Sequence, residues 1–141
     1  MKTLKSILTA TAMLFICVAV NASVKPIADK TSRVDVVNIY IDAITHGNTQ
    51  KLDNVLDENM AYDLKRGENT NSINKDQFIA YVKGNTASNE AVTTNTTVLA
   101  EDDQTATVKV EFKYSDSVRT DVLTLNKTST WQITKIVSSF N

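Results

Sequence analysis

Residues 119–140 read RTDVLTLNKTSTWQITKIVSSF, two strand-like apolar runs around a polar Lys127-Thr128-Ser129 turn. Asp121 and Lys135 stand inside those runs, where charges either face water or meet each other. Side chains on a strand alternate between faces, so the turn decides the matter. A three-residue turn sets Leu125 opposite Trp131, Leu123 opposite Ile133, and Asp121 opposite Lys135. These six residues then share a covered face, while Thr120, Thr124, Thr130, Gln132 and Thr134 crowd the other. A bulge near Lys135 would break this register, since Ile136 is apolar and falls on the wrong face.

The hairpin before it, read the same way, puts Phe112 opposite Asp121 and Tyr114 opposite Arg119, and brings Val108 and Val110 to the covered face. The outcome is an apolar concave surface with Arg119, Asp121 and Lys135 toward its open end. Two accounts fit. The charges form a salt bridge that fixes the hairpin, with Arg119 lying over Tyr114 at the rim. Or the pair, together with Tyr40, orients a polar ligand in an apolar cavity.

Upstream, the pattern is helical. Val36, Val37, Tyr40, Ile41 and Ile44 recur at helical spacing, Ser32 can cap with Asp35 three residues on, and His46-Gly47 closes the segment. A helix over Arg33–His46 is predicted, followed by a second, capped by Asn48, with Leu52, Val55 and Leu56 as its stripe up to Asp57. Met60–Lys65 reads as a short strand and Gly67–Ser72 as a polar loop. Asn74 caps a third helix, KDQFIAYVKG, which Gly84 stops. Beyond Gly84 the period becomes that of strands: Val92–Ala100, Thr105–Tyr114, Val118–Asn126 and Thr130–Ser139. The pattern predicts an α+β domain, with helices on one face of an antiparallel sheet.

The 141 residues suffice for one domain. Lys2 and Lys5 precede the apolar run Ile7–Val20, which ends in Val20-Asn21-Ala22, so residues 1–22 read as a secretory signal peptide cleaved after Ala22. A lipoprotein signal centred on Cys17 is the rival, but Leu14-Phe15-Ile16 lacks the small residue such a box needs. Residues 23–31, with Pro26, read as a tether, and 32–141 as the domain. The expected destination is outside the cytoplasm, periplasmic or secreted. Cys17 is the sole cysteine and leaves with the leader, so no disulfide or thiolate chemistry is expected. Losing Lys2 and Lys5 from the 15 basic residues leaves 13 against 16 acidic ones, scattered along the chain. Nucleic acid and, after cleavage, membrane are therefore not expected as partners.

The segments YIDAITHGNTQKLDNVL (40–56), NKDQFIAYVKGN (74–85) and TDVLTLNKTSTWQITKIVSSF (120–140) together resemble the putative lumazine-binding family, within the nuclear transport factor 2-like superfamily. The resemblance spans about Ser32–Phe140. Tyr40, Asp42, Gly47, Asp121, Trp131, Ile133 and Lys135 match the family's pattern by position. It implies a cone-like α+β fold, three N-terminal helices packed on a curved, mostly antiparallel sheet, commonly a homodimer with a cavity between helices and sheet. The sequence departs from the pattern at Asp57-Glu58-Asn59, where a His-Pro-Asp-like turn is usual, and lacks the glycine common just before the tryptophan.

Some members of the superfamily are isomerases, dehydratases or cyclases, whose cavities need a base and an oxyanion donor. The residues available here are Tyr40, Asp63 and Asp121; a cation beside Asp121 would make it a poorer base. His46, the single histidine, reads as a helix-end residue, and the carboxylates show no metal-ligand spacing, so neither cofactor nor metal is expected. The sequence thus favours a small, partly apolar ligand held by Tyr40, Phe112, Tyr114, Arg119, Asp121, Trp131 and Lys135. A cavity enzyme and a dimeric interaction module remain as alternatives.

Overall fold

The computed structural model describes residues 31–85 and 91–141; the expected leader, its cleavage point and nearly all of the tether lie outside them. Helix α1 (Arg33–His46) begins with a reciprocal capping box: Ser32 Oγ accepts from Asp35 N at 3.1 Å and Asp35 accepts from Ser32 N at 3.0 Å. Gly47 ends it at φ 72°, a left-handed conformation that glycine adopts without steric cost, and donates to Ala43 O at 2.9 Å. The buried stripe is Val36, Val37, Tyr40 and Ala43.

Helix α2 (Leu52–Val55) is a single turn, shorter than the spacing of Leu52, Val55 and Leu56 suggested. Leu56 leaves the helix at φ −96°, ψ 132° and opens strand β1 (Leu56–Arg66) opposite Ile133. Sheet pairing gives its backbone partners that a further helical turn would not, so tertiary context overrides local periodicity. Gly67–Ser72 is likewise no loop. Gly67 at φ 61° makes a tight turn into strand β2 (Asn69–Ile73), which pairs from Arg66↔Asn69 to Tyr62↔Ile73. Every residue of β2 but Ile73 is exposed, so it shows no alternation of apolar and polar residues.

Helix α3 (Lys75–Gly84) starts on a second capping box, Asn74 with Gln77. Its Phe78 and Val82 face the core, while the Lys75 stem is buried and its ammonium meets Asp53 at 3.2 Å and Glu58 at 3.1 Å. Burial opposes that charge, and the two carboxylates overcome it and raise the Lys75 pKa. Asp57-Glu58-Asn59, the stretch that departs from the family pattern, lies within the irregularity of the β1–β6 pairing between Leu56 and Ala61, with Asp57 accepting from Asn59 N at 2.8 Å. Three helices thus occur among the described residues, one of them a single turn and the last preceded by a β-hairpin.

Strands β3 (Thr93–Glu101), β4 (Thr105–Lys113), β5 (Val118–Lys127) and β6 (Trp131–Phe140) form the expected meander. The sheet order is β2-β1-β6-β5-β4-β3, and only β1 and β6 run parallel. Its inner face carries Val108, Val110, Phe112, Leu123, Leu125, Ile133 and Ile136 against the buried faces of the helices.

The last hairpin corrects the predicted register. Lys127 pairs with Trp131 and Leu125 with Ile133, and Thr134 is then an extra residue, because Thr124 pairs with Lys135 and Leu123 with Ile136. Both Ile133 and Ile136 turn inward as a result. Burying a full isoleucine side chain stabilises by about 1.5–3 kcal/mol, whereas burying Lys135 would cost, so the bulge follows the apolar residues. Asp121 consequently faces Ser138, not Lys135. In the preceding hairpin Phe112 pairs with Arg119 and Val110 with Asp121, a displacement of two that preserves the face and leaves Tyr114 in the turn.

Candidate functional site

Arg119 and Asp121 lie two residues apart on β5, both inward, the first 5% and the second 0% exposed. Asp121 gathers three donors. Tyr40 Oη reaches it from α1 at 2.6 Å, Arg119 Nε at 2.9 Å, and Ser138 Oγ donates from directly across on β6. Arg119 Nη2 also contacts Tyr40 Oη at 3.4 Å and Ser138 Oγ at 3.3 Å. The result is a closed ring of polar groups between sheet and helix, the kind of network in which a buried charge is tolerated.

The cross-strand neighbours of Arg119 are Phe112 on β4 and Phe140 on β6. Its guanidinium lies 5.7 Å from the first ring centre and 5.8 Å from the second, so the cation sits between two aromatic rings. Burial pulls the guanidinium pKa down, but Tyr40 and Asp121 more than offset this and hold it above the usual arginine value. Burial, and then the nearby Asp121, push the Tyr40 hydroxyl well above the ordinary tyrosine range, so it stays a donor.

A cavity of about 260 Å³ opens over this cluster. Ile44 from α1, Tyr81 from α3, Asn85 just after that helix, and Tyr114, Asp116 and Ser117 from the β4–β5 turn line it together with Arg119 and Phe140. Arg119 Nε and Nη2 are committed to the ring, while Nη1 has no hydrogen-bond partner among the described residues. Behind Tyr81, Tyr62 stacks on Phe78 at 4.7 Å and lies 5.7 Å from Tyr81. Its hydroxyl makes no hydrogen bond of good geometry, although Ser138 is near enough to influence it; burial raises its pKa to about 12.

Among the residues predicted for the site, Arg119 and Tyr114 line the cavity, and Asp121, Tyr40 and Phe112 hold its base from behind. Tyr40 is a core residue, 0% exposed. Trp131 stands at the far end of β6, with Lys127 Nζ 6.0 Å from its ring. Lys135 is half exposed on the outer face and pairs with Asp63 at 3.3 Å, where Ser72 also donates to Asp63. The expected Asp121–Lys135 pair is therefore replaced by Asp121–Arg119, and Asp63 stands outside the cavity with Lys135. His46 bonds Asp42 at 3.0 Å on the surface, leaving Gly47 to cap the helix. Sequence reasoning missed Ser138, Phe140 and Tyr81; only the Thr134 bulge turns the first of these inward.

Among the described residues no helix is long and apolar enough to cross a membrane, and no group of three or more metal-ligating side chains converges.

The family described as Putative lumazine-binding matches residues 28–138. No curated protein matches the chain. Among solved structures, a nuclear transport factor 2-like protein of unknown function from Silicibacter pomeroyi superposes with a TM-score of 0.66 at 18% identity, covering 77% of this chain and 92% of the other. One of the same type from Cytophaga hutchinsonii gives 0.61 at 15% identity, covering 75% and 93%. A structure described as a putative ketosteroid isomerase from Parabacteroides distasonis gives 0.57 at 14% identity, covering 76% and 86%. At such identities the likeness is one of fold, and it places the domain in the α+β, nuclear transport factor 2-like class.

Proposed function

We infer, because this chain belongs to the Putative lumazine-binding family, that its domain binds a small, partly apolar molecule in the cavity above Arg119 and does not transform it. The observation that carries this is the division of labour at Arg119: one edge is anchored by Asp121, Tyr40 and Ser138, and the guanidinium lines an aromatic-walled cavity. A fixed donor beside aromatic side chains, with polar Asn85, Asp116 and Ser117 also at the wall, is how a small-molecule site orients a partly polar ligand. The reading against catalysis rests on Asp121. Its oxygens already accept from three neighbours, and it is 0% exposed, so a substrate proton has no path to it. The isomerase-type alternative would have to work with Tyr114 or Asp116 at the cavity wall.

The apolar segment Ile7–Val20 behind Lys2 and Lys5 supports export of the protein with cleavage after Ala22. Thr120, Val122, Thr124 and Val137 are half-buried on the outer sheet face, which supports pairing of two copies there. Native mass spectrometry of protein purified from the exported fraction tests all three elements. A mass beginning at Ser23, a dimer, and a small molecule released on denaturation are expected. An intact leader, a monomer, or an empty cavity would remove the corresponding part.

A further inference from the structure

The charge balance around the cavity separates two kinds of ligand. Among the described residues Arg119 is the sole cation lining it, and Asp121 already faces that charge at 2.9 Å. Asp116, exposed in the β4–β5 turn, adds a second carboxylate at the wall. A ligand carboxylate would bring a third acid against one base, in surroundings where burial weakens screening and desolvating an anion is costly. An uncharged carbonyl is cheaper to desolvate and still accepts a strong hydrogen bond from a guanidinium N–H.

The walls define the rest of the molecule. Tyr81, Tyr114 and Phe140 offer aromatic surface and Ile44 an aliphatic one. The volume of about 260 Å³ falls just under the range of roughly 300–1,000 Å³ usual for drug-sized ligands, which limits the occupant to about one ring.

We propose that the cavity selects an uncharged, planar, single-ring compound bearing a carbonyl, whose oxygen accepts from Arg119 Nη1 while the ring lies among Tyr81, Tyr114 and Phe140. This rests on the ligand-binding reading above and adds the chemical class.

Three probes of matched shape test it on the purified protein: benzamide, benzoate and toluene, titrated while the Arg119 side-chain N–H and Phe140 ring signals are followed by NMR. Benzamide is expected to shift both saturably and to bind about tenfold tighter than either of the others, the worth of one hydrogen bond to a charged donor. Asp116→Asn, a change at an exposed turn position, is expected to strengthen benzoate and leave benzamide and toluene unchanged. Benzoate binding as tightly as benzamide, or toluene doing so, overturns the head-group inference while the ligand site stands. If none of the three shifts Arg119 and Phe140 at millimolar concentration, the site itself falls, and the inference with it.

Discussion

One sheet carries the same three ingredients on its two faces: a carboxylate, a cation and a serine hydroxyl. Inside, Asp121 holds Arg119 and Ser138, with Tyr40 as a fourth member, and the carboxylate is 0% exposed. Outside, Asp63 holds Lys135 and Ser72 near water, with the lysine side chain 51% exposed. Composition does not distinguish the two clusters; solvent does. Water screens and competes with the outer pair, so it contributes little, whereas each inner group depends on its neighbours for the hydration it has lost.

The largest effect should come from breaking the inner cluster on one side. Asp121→Leu leaves the Arg119 guanidinium buried and unpaired and is expected to cost about 3–5 kcal/mol, read from the shift in urea midpoint. Combining it with Arg119→Met should recover most of that loss; equal, additive losses would show that the two residues do not act as a pair. Tyr40→Phe comes next. It removes one hydrogen bond to a charged group inside the core, and a loss of about 1.5–3 kcal/mol is expected. An unchanged melting temperature would mean that the ring, not the hydroxyl, is what the core uses.

The outer cluster should respond far less. Lys135→Met or Asp63→Asn is expected to cost under about 1 kcal/mol, less still in high salt. Its signature is in pH. Ser72 first, and also Lys135, lower the Asp63 pKa below the usual carboxylate value. A depressed folded-state pKa stabilises above the unfolded value of about 4 and is lost as pH falls through the folded one. Asp63→Asn should therefore show its small loss at neutral pH, and the difference from the parent should shrink as pH falls below about 4.

Smallest of all is Tyr62→Phe, expected within about 0.5 kcal/mol of the parent at neutral pH, since the hydroxyl it deletes bonds nothing. It should still matter in alkali. Tyr62 is raised to about 12, so its contribution is full below the unfolded tyrosine value of about 10 and is lost between these. The variant should lose stability less steeply over that interval, as followed by tyrosinate absorbance and circular dichroism together.

The parts of the fold visible in the sequence are those that local chemistry fixes. Ser32 with Asp35, and Asn74 with Gln77, announce the two long helices through side chains only three residues away. The meander is announced by alternation, as in Ala106, Val108, Val110 and Phe112. What escaped detection depends on distant partners. Leu56 belongs to β1 because Ile133 is beside it, and β2 is a strand because β1 supplies its backbone partners, though its side chains stay wet. The site was half legible for the same reason. Arg119, Asp121, Tyr40 and Phe112 were found because they lie on faces that alternation or helical spacing defines. The cation was misassigned because, within the last hairpin, a displacement of the register by two residues and the bulge at Thr134 together exchange Lys135 for Ser138 opposite Asp121.

Thr134 acts on β6 much as an inserted letter acts on a reading frame. Every residue after it is read on the opposite side from the one that simple alternation would give, through to Phe140. Deleting it would restore plain alternation and leave Ile133, Ile136, Ser138 and Phe140 on the inner face, with Lys135 still outside. A residue added between Ile136 and Ser138 would instead change the phase of the strand end, turning Ser138 away from Asp121 and Phe140 away from Arg119. Substitution or deletion at 134 should be tolerated, and such an insertion should not, so the spacing from Ile136 to Phe140, more than the identity of that threonine, holds the binding site together.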